Sequence, residues 1–206
     1  MKIRCSWPEG TSEEMIAYHD NEWGVPVRDD RKLFEMFTLG GAQAGLSWAI
    51  VYSKRAGYRK LFHNFDITKC SRMTDAYIEK TLTDPSIIRN RLKVFSVRKN
   101  ALAALAVIEE FGSFSKYLWS FVNGEPKVNR IKKMSDIPTT SPESDAMSKD
   151  MKKRGFTFAG STICYAFMQG VGMVNDHEAR CWRWEECQEI FKKEPFELAT
   201  ERLREK

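Results

Sequence analysis

Thr74–Gly112, TDAYIEKTLTDPSIIRNRLKVFSVRKNALAALAVIEEFG, is the stretch that decides the fold. Thr74 or Asp75 stands where a helix N-cap belongs, and Thr74–Leu82 reads as a short helix. Asp84-Pro85-Ser86 then makes a turn. A long helix follows from about Asn90 to Phe111 and is stopped by Gly112. Leu92, Phe95, Leu102, Leu105 and Ile108 are the side chains expected to point inward. Two helices joined by a tight turn form a hairpin, and the second opens with Ser86, Arg89, Arg91 and Lys93 around it. Backbone N–H groups exposed at such a helix start bind phosphate well. An ordinary solvated basic helix start accounts for the same residues.

Helical spacing continues on either side. Leu33, Phe34 and Phe37 share one face in Asp30–Leu39, and Gly40 and Gly41 are expected to break that helix. Ala44–Tyr52 would resume it with Leu46, Trp48, Ile50 and Val51. Ala56–Phe62 reads as a short helix, and the aromatic-rich Ser113–Val122 ends at an Asn123-Gly124 turn. Ser141-Pro142-Glu143 has the cap, proline and early acid of a helix start. That helix runs to Gly155, with Lys149, Lys152, Lys153 and Arg154 at the negative end of its dipole. Ser161–Val171 is a further apolar helix. Lys127–Ile131 resembles a short strand with no evident partner. The expectation is an all-α protein of eight to ten short helices, with one domain over 1–183 and a charged tail over 184–206.

Composition excludes several classes. Of 206 residues, 42% are hydrophobic and 30% charged, which suits a folded globular chain rather than a disordered one. No apolar run approaches the roughly 20 residues of a membrane helix. The opening MKIRCSWPEGTSEE has no apolar core of a secretory signal, so a cytoplasmic location is expected. A net charge of +5 is compatible with a polyanionic partner. Five cysteines, an odd number, do not make a disulfide scaffold, and any that cluster point to metal. Walker loops, Ser-His-Asp arrangements and dinucleotide fingerprints are absent; Gly170 and Gly172 do not follow a strand.

Two constellations carry chemistry. Cys5 and His19 lie near one end, and His177 and Cys181 near the other, the last two spaced to share a helical face. Two thiolates and two imidazoles would close a tetrahedral zinc site and tie the ends of the chain together. Two buried cysteines and two unrelated histidines fit the spacing equally. Asp176 beside His177 suits either ligand orientation or helix capping. The second constellation is Trp7, Tyr18, Trp23 and Trp48. Flat π faces beside polar Asp20, Asn21 and Glu22 suit stacking on a nucleobase, particularly a cationic one. Any one of these rings taken singly suits a core.

Read together, RCSWPEG (4–10), AYHDNEWGVP (17–26), LFEMFTLGGAQAGLSW (33–48), IIRNRLKV (87–94), LWSFVNGEP (118–126) and SDAMSKDMKKRGFTFAGSTICYAFMQGVGMVNDH (144–177) resemble the 3-methyladenine DNA glycosylase I family. The resemblance spans roughly residues 3 to 182. It implies a helix-hairpin-helix glycosylase fold and a structural zinc, one per chain, on Cys5, His19, His177 and Cys181. It places the DNA-holding hairpin near Asp84–Arg91 and makes Leu46 a candidate intercalating side chain. It implies that an N3-methylated adenine is flipped from double-stranded DNA into a pocket matched by Tyr18, Trp23 and Trp48, with Trp7 close by. Hydrolysis of the N-glycosidic bond would leave an abasic site. A monomer is expected, because no spare apolar helix face stands out.

Two positions depart from the family pattern. Gly40 stands where the family carries a glutamate that contacts the bound base, so no catalytic residue is assigned. Glu35 or Glu22 would replace it only if the fold aims one inward. Ser86 stands where the hairpin commonly has glycine, and serine suits that place only if φ is negative. The loss at Gly40 motivates an alternative: an inactive or redirected relative that binds DNA or a modified base without cleaving it.

Overall fold

A computed structural model describes residues 2–195. It contains eleven α-helices among those residues, one more than the upper expectation. They are α1 (Glu13–Asn21), α2 (Asp30–Gln43), α3 (Trp48–Tyr52), α4 (Arg55–Leu61), α5 (Ile67–Ser71), α6 (Asp75–Thr81), α7 (Arg91–Phe111), α8 (Phe114–Trp119), α9 (Pro142–Lys153), α10 (Ser161–Gly170) and α11 (Trp182–Lys193). None is long and apolar enough to cross a membrane.

Short polar side chains set most of the starts. Ser12, Asp29, Ser47, Asp66, Thr74, Asn90, Ser113 and Ser141 each accept a backbone N–H from the first turn of the helix they precede. Gly112, left-handed at φ 86°, ends α7 as expected. The capped N-termini let many short helices persist, and burial of their apolar faces holds them together.

α2 is the central helix, packed against α3, α7, α8 and α10. Leu33, Phe34, Phe37 and Leu39 are essentially inaccessible on it. Contrary to expectation, Gly40 and Gly41 do not break α2, which runs through both. A Cβ at residue 41 would stand 3.1 Å from the Phe158 side chain, a tight contact to which Phe158 would have to give by a few tenths of an ångström. The break falls later, at Ala44–Ser47, and only Trp48–Tyr52 of the expected second helix forms.

α7 also departs from expectation. Leu92 and Leu102 are exposed, and the buried face is Val94, Val97, Ala101, Ala104 and Val107. α5 packs closely against α7, and alanines and valines make up most of the buried face of α7. Lys127–Ile131 does have a partner. β1 (Lys127–Val128) pairs in parallel with β2 (Val174–Asn175), and Ile131 bridges to Glu178. α11 crosses the 183/184 division, with Cys187 buried and Phe191 stacked on Trp119 at 6.1 Å. Residues 196–206 of the charged tail lie outside the described residues.

Candidate functional site

The four cysteine and histidine positions converge. Cys5 precedes α1, His19 sits in its last turn, and His177 and Cys181 occupy the turn between β2 and α11. His177 and Cys181 are therefore not on a helix; the Cys181 N–H donates to the Glu178 carbonyl at 2.7 Å and folds the segment back. All four side chains are buried, and their ligand atoms lie within 4.8 Å of one another. Sγ of Cys5 is 3.4 Å from Nδ1 of His177, and Sγ of Cys181 is 3.5 Å from Nε2 of His19 and 3.7 Å from Nδ1 of His177. Metal bonds of about 2.3 Å to sulfur and 2.0–2.1 Å to nitrogen give tetrahedral edges of about 3.6 Å. The residues fit such an ion.

The outer nitrogens are fixed by acceptors. Nδ1 of His19 lies 2.8 Å from Asp20, and Nε2 of His177 lies 3.0 Å from the Trp23 carbonyl. An anion and a carbonyl only accept, so each ring donates outward and turns its lone pair toward the cluster. Asp20 is in turn gripped by Arg4, and hydrogen bonds from Arg4 and His19 hold its carboxyl down to about 2. Gly24 is required here, because a Cβ would come within 2.7 Å of Nε2 of His177. A hydrogen bond from the Cys5 thiol drives the Cys181 thiol far below its usual range and raises Cys5 correspondingly. Asp176 takes neither expected role. It accepts from Asn129, Tyr165 and Gln169, bracing β1 against α10.

Beside this cluster opens a cavity of about 570 Å³. Trp7, Tyr18, Trp23 and Trp48 all line it, as do Gly40 and Leu46. Trp7 meets Trp23 edge-on at 5.4 Å, and Tyr18 lies 5.5 Å from Trp48 and 4.8 Å from Tyr52. Trp23 also contacts the His177 ring edge at 4.5 Å, so the cluster and the cavity share a wall. Indole Nε1 of Trp7 and of Trp48 is buried with no acceptor among the described residues. Leaving a buried donor unpaired is unfavourable. Burial pushes the Tyr18 phenol up, so it stays neutral.

Sequence reasoning missed the far wall: Met36, Gln43, Thr162, Ile163, Ala166, Gln169 and Gly170, with Met134 and Ile137 at the edge. The signal available was the 162-163-166-169-170 spacing, one stripe of α10. No carboxylate is among the lining residues. Glu22 and Glu35 do not aim inward. Glu22 accepts from Lys32, Tyr52 and Arg55, and Glu35 from Arg55 and Arg59. Burial opposes the charge on Glu22, yet hydrogen bonds from Arg55, Lys32 and Tyr52 hold its pKa down to about 2. This ionic group backs Tyr52 and, through it, Tyr18.

The hairpin is α6, the turn through Ser86, and α7. Ser86 lies outside the left-handed region, so serine fits its turn without strain. Its N–H donates to Asp84 at 2.8 Å, and Lys54 donates to the Pro85 carbonyl at 2.6 Å. Arg89 and Arg91 are exposed; Arg91 pairs with Glu79, while Arg89 has no ion pair among the described residues. Lys93 donates to the carbonyls of Ala42 and Ala44 at 2.9 and 2.6 Å. That lysine ties the hairpin helix to the loop carrying Leu46, whose side chain is exposed at the cavity mouth.

The fold is that of a helical DNA glycosylase. A model of the methyladenine glycosylase family matches residues 7–184, and the chain belongs to that family. It is 49% identical over 180 residues to DNA-3-methyladenine glycosylase 1 of Escherichia coli K12, covering 86% of this chain and 95% of that protein. It is 46% identical over 181 residues to DNA-3-methyladenine glycosylase of Haemophilus influenzae, covering 88% and 97%. A solved tyrosine-to-phenylalanine variant of 3-methyladenine DNA glycosylase I, in complex with 3-methyladenine, matches with a TM-score of 0.84 at 32% identity. That match covers 87% of this chain and 96% of the other.

Proposed function

We infer that this chain is a DNA glycosylase that hydrolyses the N-glycosidic bond of 3-methyladenine in double-stranded DNA. The observation that carries this reading is the aromatic cavity walled by Trp7, Tyr18, Trp23 and Trp48 in a chain of this family. A damaged base unstacks more readily than a normal one, and Trp7, Tyr18, Trp23 and Trp48 then offer π faces to its cationic ring. Breaking the bond sends its electron pair to the base, which leaves neutral. Water adds to the sugar C1′ and releases its proton to solvent. Because the leaving group departs without needing protonation, positioning carries much of the rate, and the missing carboxylate at Gly40 is tolerated. Leu46 fills the space left in the duplex, and Ser86, Arg89 and Arg91 lie along the phosphates.

The ion on Cys5, His19, His177 and Cys181 is zinc, one per chain. Bound there it supplies a closed four-ligand structural tie with no open position for substrate. The protein acts as a monomer in the cytoplasm, where its DNA is. The alternative, a binder that does not cleave, draws no support from relatives that are both named as glycosylases.

The test is chromatography of bases released from N-methylated duplex DNA by the native chain and by Gly40→Glu. Release of 3-methyladenine by the native chain is expected. Release by Gly40→Glu alone, or by neither, overturns the reading.

A further inference from the structure

We propose that Arg130, Lys132 and Lys133 form a second phosphate-binding flank of the cavity mouth, separate from the hairpin; this rests on the reading that the substrate is DNA. The segment's place is set by its neighbours: Met134 and Ile137 line the cavity, and Met134 is 43% exposed, so it stands at the opening. Arg130, Lys132 and Lys133 are exposed immediately before it. Neither lysine has an ion pair among the described residues, and the Arg130 guanidinium lies 5.5 Å above the Trp184 ring. The one acid within residues 129–137, Asp136, accepts from the Lys133 backbone N–H at 3.3 Å; of the acids across from the segment, Glu178 pairs with Arg180 and Asp176 accepts from Asn129 and Tyr165, leaving the segment itself net positive.

The backbone carrying these charges is anchored. The Asn129 N–H donates to the Asn175 carbonyl at 3.1 Å and the Ala179 N–H to the Ile131 carbonyl at 2.8 Å. Nε1 of Trp184 donates to the Asn129 carbonyl at 2.8 Å, and Ile131 is buried between its two exposed neighbours. Three cations on an anchored segment therefore face solvent just before Met134, which lines the site that receives a flipped nucleotide. Flipping leaves phosphates on both sides of the extruded sugar, and anchored cations meet them with less ordering cost than mobile ones. Lys152 and Lys153 differ: they complement the dipole at the end of α9 and line no part of the cavity.

The test is the salt dependence of affinity for a duplex carrying a stable abasic-site analogue. Each phosphate contact contributes about 0.9 to the slope of log K against log salt. Lys132→Ala/Lys133→Ala should lower that slope by about two and weaken binding several-fold at low salt. The paired control Lys152→Ala/Lys153→Ala should keep the native slope. Both lysines of the first pair are exposed, so thermal melting should be unchanged; Lys132→Gln/Lys133→Gln, which keeps the stems, should reproduce the loss of slope. A native slope in the Lys132/Lys133 variants, or an equal loss in the control, overturns the proposal. Base release by the native chain is read separately, so the glycosylase reading stands or falls independently.

Discussion

The four-residue cluster and the aromatic cavity share the Trp23–His177 contact, yet they differ in how they are built. The cluster is a fixed number of ligand atoms, with both imidazoles held by outer hydrogen bonds, closing a circuit from Cys5 to Cys181. The cavity is a space left between α1, α2, α3, α10 and the segments carrying Trp7, Leu46 and Met134, open to a ligand. The first is organised for stability and the second for a ligand. Substitutions in the two should therefore separate into those that unfold and those that only disable.

The largest effect should come from Cys181→Ala. It removes one of four ligands whose closure spans most of the chain, and the loss of a structural ion costs several kcal/mol. The melting temperature should fall by roughly 10 °C or more for a chain of this size, and metal analysis should drop from about one ion per chain to well below it. A metal-free native protein of unchanged stability would break the comparison, leaving two thiols and two imidazoles buried for packing alone.

These two regions were not equally legible. The chain has three histidines and five cysteines, so the convergence of two of each was readable as a candidate. The aromatic half of the cavity was readable because Trp7, Tyr18, Trp23 and Trp48 are chemically distinctive. Ile163 and Ala166 were not, since an apolar helical stripe looks the same whether it faces a core or a cavity. Met134 and Ile137 reach the mouth only through a two-residue ribbon, too short for any alternation to show. Leu92 and Leu102 misled because they are exposed while the smaller Val94, Val97, Ala101 and Ala104 are buried, so side-chain hydrophobicity alone did not mark the inward face of α7.

Glu22 lies on the border of the two regions, at the end of α1 and beside Trp23. Its pKa is lowered from 4.5 to about 2, a depression that stabilises the folded state, by less than the full shift because the group is part-exposed and screened by solvent. Because the folded value is depressed, this contribution is complete above the unfolded pKa and is lost as pH falls through about 2. Glu22→Gln should therefore be less stable at pH 7, and the gap should narrow steadily between pH 4.5 and 2 in denaturant titrations. A gap that ignores pH would mean that packing, and not the ionic group with Arg55 and Lys32, holds this corner.

The smallest effect sharpens the comparison most, because it sets two neighbouring glycines of α2 against each other. An alanine in a helix interior is more stable than glycine by about 0.5–1 kcal/mol. At Gly40 a Cβ meets only Cγ2 of Ile163, at 3.9 Å, so Gly40→Ala should raise the melting temperature by roughly 1–4 °C. At Gly41 the same methyl meets Phe158 at 3.1 Å, and Phe158 is itself held at φ 55°, so Gly41→Ala should gain nothing or lose. That outcome would make Gly41 a packing residue and Gly40 a position the fold leaves free. Equal gains at both would show that the Phe158 contact yields and that α2 requires neither glycine. With the first result, the side chain at residue 40 answers to the cavity alone. Gly40→Ala should then keep base release within about twofold while Gly40→Glu brings a charge to a wall that has none.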